Sequence, residues 1–439
     1  MTSVGRAPRE GVKSNASGLL VGDIGAGTRK DLRRALVRAW TGFSTYRGWL
    51  DELGLTLADL ELEDPLAVLQ RLPALGGERF YDLADESIAL AGEVVDMETS
   101  SGTTGRRKRR VITYRDDATE TALLVRMFRV CGIEAFDSVA CVDIGPLTLM
   151  VSFTRALDEM GTGEAYAYCV SLDDEPAIEG LFRLDPSVII TIPSILERYL
   201  QPLRMRAATR PRWKLRKVIY VGEPLSERTR AILTGELGLE VFAYYGASET
   251  SALGIECGSH DGIHLFNDTV IIEIANTGTD RNVGEVLVTT LRQEGLPLLR
   301  YALGDVIEVL SGACPCGLGY TRIAVLGRGD GTASVLGVKI SYDSIREAAY
   351  WRIQDAGPME VYLSDDNREK MKVVLPSRFA GMERRIRRSL ATREPDLAYL
   401  VAGRFLELEI AFVDEAHFDG ARKKQRIVDS RKATDGDSN

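Results

Sequence analysis

The stretch SSGTTGRRKRR, residues 100–110, is the part of the sequence that carries most of the information about fold and function. Its two glycines, Gly102 and Gly105, allow backbone conformations that other residues rarely adopt, so the chain can approach a ligand closely. The hydroxyl groups beside them and the backbone N–H groups are hydrogen-bond donors. Lys108 belongs to a run of five consecutive cations at 106–110. Donors and positive charge in this order suit a polyphosphate, although a solvated turn would contain the same residue types.

The composition limits the classes of protein that the chain can belong to. It has 439 residues, of which 45% are hydrophobic and 27% charged, which is enough apolar material for packed domains. The net charge of −9 argues against a general nucleic-acid-binding protein. No apolar stretch reaches the about 18 residues of a membrane helix, and the first residues lack a signal-peptide pattern. Six cysteines in so long a chain do not indicate a disulfide framework. We therefore expect a cytoplasmic enzyme with neither a nucleic-acid nor a membrane partner.

Hydrophobic periodicity predicts three regions. Residues 18–95 are expected to be mostly helical, with a helix over 29–54 that ends at Gly54. From 96 to about 326, β-rich runs alternate with helical stretches, which predicts an α/β region with substantial sheet. A smaller α+β unit follows from about residue 331. The predicted strands are 217–221, 239–245, 270–275, 284–291, 359–364, 369–375 and 405–413, and the predicted helices are 116–132, 193–206 and 379–391.

Five stretches resemble, in chain order, the motifs of the adenylate-forming superfamily. SSGTTGRRK resembles its phosphate loop, with Arg107 where proline is usual, and RYALGDV (300–306) resembles its Arg-Tyr-x-Thr-Gly-Asp motif, with Leu303 in place of threonine. The others are YYGASET (244–250), the hinge-like GRGDG (327–331) and the C-terminal lysine segment KKQRIVDSR (423–431). Within the superfamily, ITIPSIL, VGEPLSE, ECGSHDGIHLFND, GEVLVTTL and CPCG occur in the order of the phenylacetate–CoA ligase branch. An ordered set is far more specific than any single motif.

This resemblance implies an α/β fold in two domains. A large N-terminal adenylation domain with mixed β-sheets and helices would cover residues 1–326. A hinge at 327–331, with Arg328 and Asp330, would connect it to a small mobile α+β domain at 332–439. The polar composition of residues 1–17 and 430–439 predicts that both ends are disordered. The implied reaction has two steps: a carboxylic acid, here an aryl or related acid, reacts with ATP to form an acyl-adenylate, and CoA then takes the acyl group as a thioester.

The resemblance also implies roles for individual residues. Glu249 would bind Mg²⁺, which prefers carboxylate and phosphate oxygens. The catalytic residues would be Lys423, Glu249 and Arg328, with the adjacent Lys424 as an alternative to Lys423. The nucleotide-binding residues would be Ser100, Ser101, Gly102, Thr103, Thr104, Gly105 and Lys108 at the phosphates, Gly222, Glu223, Pro224 and Tyr245 at the adenine, and Asp305 at the ribose. Gly246, Ala247 and Ser248 of the YYGASET stretch would also bind the nucleotide.

The acyl pocket is expected to be mostly apolar, which suits a flat aromatic acid. Its candidate residues are Phe153, Tyr220, Tyr244 and Gly246. The bulky Leu147 and Met150 stand where the relatives have a glycine-rich segment. The sequence therefore favours an acid other than phenylacetate.

Cysteine and histidine are concentrated in two short stretches. Cys257 and His264 lie in ECGSHDGIH, and Cys314 and Cys316 lie in ACPCG. These residue types could form a tetrahedral Cys₃His zinc site of the structural kind, and the resemblance implies a zinc with this arrangement. The alternative is that these cysteines fill the core, which is the interpretation for Cys131, Cys141 and Cys169.

Two other functions remain open at this point. The departures at Arg107 and Leu303 leave room for an adenylating enzyme that passes the acyl group to a carrier protein, an amine or another acceptor instead of CoA. From a different class, the chain could be a non-catalytic nucleotide-binding paralogue. A homodimer is compatible with the sequence.

Overall fold

The computed structural model describes most of the chain. The described residues are 18–89, 94–100, 108–143, 148–169, 175–209, 213–276, 281–329, 332–335, 338–354, 356–364, 369–418 and 427–430. The helices are α1 (Ala26–Gly42), α2 (Ser44–Glu52), α3 (Leu57–Leu62), α4 (Pro65–Arg71), α5 (Gly77–Ser87), α6 (Tyr114–Val130), α7 (Thr148–Glu159), α8 (Glu175–Leu184), α9 (Pro193–Thr209), α10 (Glu227–Ala231), α11 (Tyr342–Ala349), α12 (Glu383–Arg393) and α13 (Pro395–Ala402). The strands are β1 (Gly18–Leu20), β2 (Val94–Ser100), β3 (Lys108–Thr113), β4 (Ser138–Asp143), β5 (Glu164–Cys169), β6 (Val188–Thr191), β7 (Lys217–Val221), β8 (Glu240–Ala247), β9 (Ser251–Glu256), β10 (Ile263–Leu265), β11 (Val270–Asn276), β12 (Val283–Thr290), β13 (Tyr301–Leu310), β14 (Arg322–Arg328), β15 (Thr332–Val335), β16 (Val338–Ser341), β17 (Glu360–Ser364), β18 (Lys370–Pro376), β19 (Glu407–Val413) and β20 (Ile427–Asp429).

The α/β fold class expected from the sequence is confirmed. The predicted strands appear as β7, β8, β11, β12, β17, β18 and β19, and the predicted helices as α6, α9 and α12. Among the described residues, no helix combines the length and the apolar character needed to cross a membrane.

The prediction of one continuous helix over residues 29–54 is wrong, because the helix is interrupted at Phe43. Phe43 has an extended backbone (φ −127°, ψ 119°) and separates α1 from α2. Its ring is buried and packs edge-on against Tyr46, at 6.3 Å between centroids. Burial of this aromatic ring thus accompanies the break. The expected stop is confirmed, since Gly54 takes a left-handed conformation (φ +67°) just after α2.

The chain divides into two compact units, which are described separately. Unit 1 comprises Met1–Met97, Arg109–Thr119 and Asp261–Asp330, and unit 2 comprises Glu98–Lys108, Glu120–His260 and Gly331–Asn439. The domain bounds and hinge expected from the sequence remain a prediction.

Unit 1 contains antiparallel strands in the order β1-β11-β12-β13-β14-β10. Its core holds a buried ion pair, in which Arg300 Nε lies 2.9 Å from Glu273 Oε2 and both side chains are at most 2% exposed. Burial raises the pKa of Glu273 above its ordinary value, and the charge of Arg300 opposes that rise. The Arg300 backbone is also left-handed (φ +52°), and it directly precedes β13.

In unit 2, β5, β4, β6, β7 and β8 form parallel neighbours, and β9 continues antiparallel to β8. The strands β4 and β6 are buried almost throughout, as expected for parallel strands with both faces covered. The carboxyl ends of β7 and β8 lead into VGEP and the YYGASET stretch. In α/β sheets of this kind, ligands bind outside the carboxyl ends of the strands.

Residues 331–439, also in unit 2, have a sheet of their own. Its order is β19-β18-β17-β20, with β17 and β18 antiparallel and the two outer pairs parallel. The strands β15 and β16 form a separate hairpin. This agrees with the small α+β region expected at the C-terminal end.

Candidate functional site

The centre of the candidate site in unit 2 is a contact between Lys108 and Glu249. Lys108 is the first residue of β3 and Glu249 follows β8, and the Lys108 ammonium donates a hydrogen bond of 2.7 Å to Glu249 Oε1. The Glu249 side chain is 2% exposed and that of Lys108 is 20% exposed. Two residues that are 141 positions apart, and that the sequence assigns to phosphate and magnesium binding, therefore touch.

A tight turn holds Glu249 at the end of β8. A bulge interrupts the pairing of β8 with β9 between Tyr245 and Gly246. Ser251, which opens β9, has a left-handed backbone (φ +59°). Gly246 has no room for a side chain, because a Cβ atom there would lie 2.6 Å from the Ser251 carbonyl oxygen and 3.0 Å from the Tyr244 ring. The glycine of the YYGASET stretch is thus required by close packing of the turn.

An aromatic cluster lies beside this turn. The rings of Phe153 and Tyr244 are in edge contact with 5.4 Å between their centroids, and Phe128 is also in edge contact with Phe153, at 5.6 Å. All three side chains are buried, although Tyr244 retains 8% exposure. Two of the four residues expected in an acyl pocket, Phe153 and Tyr244, therefore lie together in an apolar environment.

Tyr220 has different neighbours from Tyr244. In the parallel pairing of β7 and β8, Tyr220 is opposite Ala243, and Val221 is opposite Tyr244. Because side chains alternate along a strand, Tyr220 and Tyr244 point to opposite faces of the sheet. The Tyr220 hydroxyl accepts a hydrogen bond of 3.1 Å from Arg230, and burial raises the pKa of Tyr220.

The conformation of the VGEP segment, which follows β7, depends on Gly222 and Glu223. Gly222 has a left-handed conformation (φ +85°) that favours glycine. The Glu223 carboxylate accepts hydrogen bonds from the backbone N–H and the hydroxyl of Ser194, in the first turn of α9. The Glu223 carboxylate thus connects this segment to the start of α9.

In unit 1, Asp305 and Arg328 form a cross-strand pair. Asp305 on β13 is directly opposite Arg328 on β14, and Arg328 Nη1 lies 2.8 Å from Asp305 Oδ1. Both side chains are about one-seventh exposed, at 14% and 15%. Asp305 is thus inside a strand and not in a turn between strands.

Two of the four candidate zinc ligands are in contact within unit 1, where the Nε2 atom of His264 lies 3.4 Å from Cys316 Sγ. Ligand atoms around a tetrahedral zinc ion are about 3.7 Å apart, so this spacing fits zinc. Burial lowers the pKa of His264, which favours the neutral imidazole that binds a metal. Cys131 and Cys141 are buried in the core as expected.

Comparison with known proteins identifies the family. A model of the AMP-binding enzyme family matches residues 70–289, half of the chain. The chain belongs to this family. The resemblance to adenylate-forming enzymes expected from the motifs is thereby confirmed.

Relatives of this AMP-binding enzyme include two bacterial phenylacetate–CoA ligases. That of Thermus thermophilus is 27% identical over 354 residues, which cover 74% of this chain and 75% of the relative. That of Escherichia coli is 26% identical over 340 residues, covering 72% and 74%. Among solved structures, 2-hydroxyisobutyryl-CoA ligase in complex with 2-HIB-AMP and CoA superposes with a TM-score of 0.76 at 17% identity, over 92% of this chain and 90% of that chain. At this identity, the structural similarity supports the fold alone.

Several candidate residues of this AMP-binding enzyme lie outside the described residues. They are Ser101, Gly102, Thr103, Thr104, Gly105, Asp330, Lys423 and its alternative Lys424. Ser100 ends β2, and its side chain is likewise outside the description. The phosphate-binding and catalytic roles of these residues remain predictions.

Arg230 and Glu256 are not expected from the sequence to have a role, although Glu256 is the first residue of ECGSHDGIH. These two residues form a bidentate ion pair, with 3.2 Å between Arg230 Nη1 and Glu256 Oε1 and 2.9 Å between Nη2 and Oε2. Isolated charged residues in a short helix and at a strand end give no signal by themselves. Only the pairing of β8 with β9 brings Glu256 within reach of α10, which carries Arg230.

Proposed function

We propose that this AMP-binding enzyme is an ATP-dependent acid–CoA ligase that forms an acyl-adenylate and then a CoA thioester. The family and the phenylacetate–CoA ligase relatives support this proposal. The observation that carries it is the contact between Lys108 and Glu249, since it joins a cation suited to phosphate with a carboxylate suited to a divalent metal.

Lys108 acts on the polyphosphate of ATP. Attack by a carboxylate on the α-phosphate brings two anions together, so the step requires positive charge at a fixed position. Lys108 lies at the start of β3, where its ammonium is held by Glu249 and is partly exposed to a ligand. An ammonium in this position would neutralise the β- and γ-phosphates as the pyrophosphate leaves.

Glu249 is the residue of this chain that would hold Mg²⁺. Its carboxylate is buried, and the other ligands of the Mg²⁺ ion would include phosphate oxygens of ATP. The metal would supply charge neutralisation at those oxygens. The protein's part is to keep the Glu249 carboxylate at the end of β8, through the tight turn at Gly246 and Ser251.

Asp305 would accept hydrogen bonds from the ribose hydroxyls, with Arg328 orienting its carboxylate through the 2.8 Å contact. The ring of Tyr245 and the backbone of Gly222 to Pro224 would bind the adenine. Lys423 would bridge the substrate carboxylate and the α-phosphate during adenylation. Separate Lys423→Ala and Lys424→Ala variants decide which lysine has that role, because only the catalytic one should slow adenylation strongly.

The acid is proposed to be an aryl or related carboxylic acid, and the aromatic contacts around Phe153 support this. Zinc is proposed as a structural ion held by Cys257, His264, Cys314 and Cys316, on the basis of these residue types and of the contact between His264 and Cys316. A cytoplasmic location and a homodimer remain predictions from the sequence.

The experiment that tests the proposal is pyrophosphate release from ATP and Mg²⁺ over a panel of aryl and alkyl acids, with and without CoA. We expect release that depends on the acid, is accelerated by CoA and is lost in Glu249→Gln. The absence of acid-dependent release across the panel would overturn the proposal. If a carrier protein or an amine accelerates pyrophosphate release and CoA does not, the enzyme forms the acyl-adenylate but transfers the acyl group to an acceptor other than CoA.

A further inference from the structure

Glu256 lies at the centre of a hydrogen-bond network on the face of the sheet that carries Tyr220. Its Oε2 atom accepts a hydrogen bond of 2.8 Å from the backbone N–H of Ala243, in the middle of β8. Both carboxylate oxygens also accept hydrogen bonds from the Arg230 guanidinium, and His260 Nδ1 lies 3.4 Å from Oε1. The Glu256 side chain is 7% exposed, so this carboxylate is committed to the protein interior.

The bond to Ala243 compensates for the end of a strand. The β8–β9 pairing runs from Ala247 opposite Ser251 to Tyr244 opposite Ile255, and β9 ends at Glu256. The Glu256 carboxylate thus supplies the acceptor for the next β8 residue, Ala243, where the pairing with β9 stops. A side chain in this role fixes how β8 lies along β9.

Arg230 extends the network to two further elements. Its guanidinium donates to the Val241 carbonyl on β8 at 3.2 Å and to the Tyr220 hydroxyl on β7 at 3.1 Å. It also lies over the Tyr220 ring, at 5.5 Å from the centroid. A planar group with five donors can make all these contacts at once, which a lysine ammonium cannot. One carboxylate and one guanidinium therefore connect α10, β7, β8 and the end of β9.

We infer that Glu256 and Arg230 are positioning residues that fix strand β8, and with it the Tyr245 and Glu249 that follow Ala243 on the same segment. The inference rests on the proposed function, because it assigns these two residues to the nucleotide side of that site. Neither residue touches a reacting group. They act by holding the register of β8 and by keeping the ring of Tyr220 against the same face of the sheet as Tyr245, which follows from strand alternation.

The direct test is amide hydrogen exchange across residues 239–247, read by mass spectrometry with overlapping peptides. The principal variant is Arg230→Met with Glu256→Met, since removal of both members of a buried ion pair is often tolerated by the fold. We expect the exchange of the Ala243 amide to be at least about tenfold faster, because its acceptor is gone. Arg230→Lys keeps the charge balance but loses the bidentate contact, and should give a smaller increase.

A matched control is available on the same strand. Glu240 forms an ion pair of 2.9 Å with Lys217 and is 50% exposed, three residues before Ala243. Glu240→Gln should leave the exchange of the Ala243 amide unchanged. Unchanged exchange in the double variant, or an equal increase in the control, would overturn the inference.

A second measurement connects the network to the site without an acid substrate. We expect the Kd of the double variant for ATP in the presence of Mg²⁺, measured by calorimetry, to be about tenfold higher than that of the wild type, as for loss of a well-placed contact. An unchanged Kd would overturn the role in positioning. Failure of the wild type to bind ATP would instead refute the proposed function, while the exchange experiment would still decide whether Glu256 and Arg230 fix β8.

Discussion

Substitution of Lys108 by methionine tests whether the central contact of the site is a buried ion pair or a screened one. Methionine keeps much of the apolar stem and removes the charge, so Glu249 loses its ammonium partner. At 2.7 Å the gross attraction is about 6 kcal/mol at an effective dielectric constant of about 20, and much of it offsets desolvation of the two charges.

The cost of the substitution follows from burial. Loss of one partner of a buried pair costs about 3–5 kcal/mol, because the other charge stays inside. Glu249 is 2% exposed but Lys108 is 20% exposed, so we expect the lower end, about 3 kcal/mol. At about 2 °C per kcal/mol for a large domain, the Tm should fall by about 6 °C. The double variant Lys108→Met with Glu249→Gln should recover at least half of this loss.

The next residue along β3 provides the control. Arg109, in unit 1, forms an ion pair of 3.0 Å with Asp85, and these side chains are 41% and 44% exposed. An exposed pair contributes about 0–1 kcal/mol, so Arg109→Met should lower the Tm by about 2 °C at most. Scanning calorimetry without nucleotide measures both variants. If Lys108→Met costs no more than Arg109→Met, the pair is screened by solvent and the reasoning is refuted.

Three further substitutions test other parts of the site. Gly246→Ala should lower pyrophosphate release at least about tenfold and reduce Tm, because the new Cβ would meet the Ser251 carbonyl at 2.6 Å; wild-type rates would show that the turn can relax. Cys314→Ser should lower bound zinc and Tm together, with elemental analysis giving about one zinc per wild-type chain; a zinc-free wild type of full stability would contradict a zinc site. Asp305→Asn should raise the KM for ATP about tenfold and also lower Tm, since the half-buried charge of Arg328 loses its partner; an unchanged KM would exclude contact with the nucleotide.

The sequence predicts those parts of the site in which motif residues determine local conformation. The strand β7 and the approximate position of β8 follow from apolar runs bounded by glycine, and the turn after β8 follows from the need for Gly246. The contact of Lys108 with Glu249 and that of Asp305 with Arg328 are consistent with the roles that the motifs indicate. The sequence alone does not give these distances, because each pair joins separate segments whose relative register is a tertiary property.

The faces of β7 and β8 show where such prediction stops. Tyr220 and Tyr244 are equally good candidates for an acyl pocket when only composition is considered. The register of β7 against β8 places Tyr220 beside Ala243 and Tyr244 beside Val221, so the two rings lie on opposite faces. A shift of one residue between β7 and β8 would exchange the faces. The assignment of aromatic residues to the acyl or the nucleotide side thus depends on a strand register that the composition of the two strands does not give.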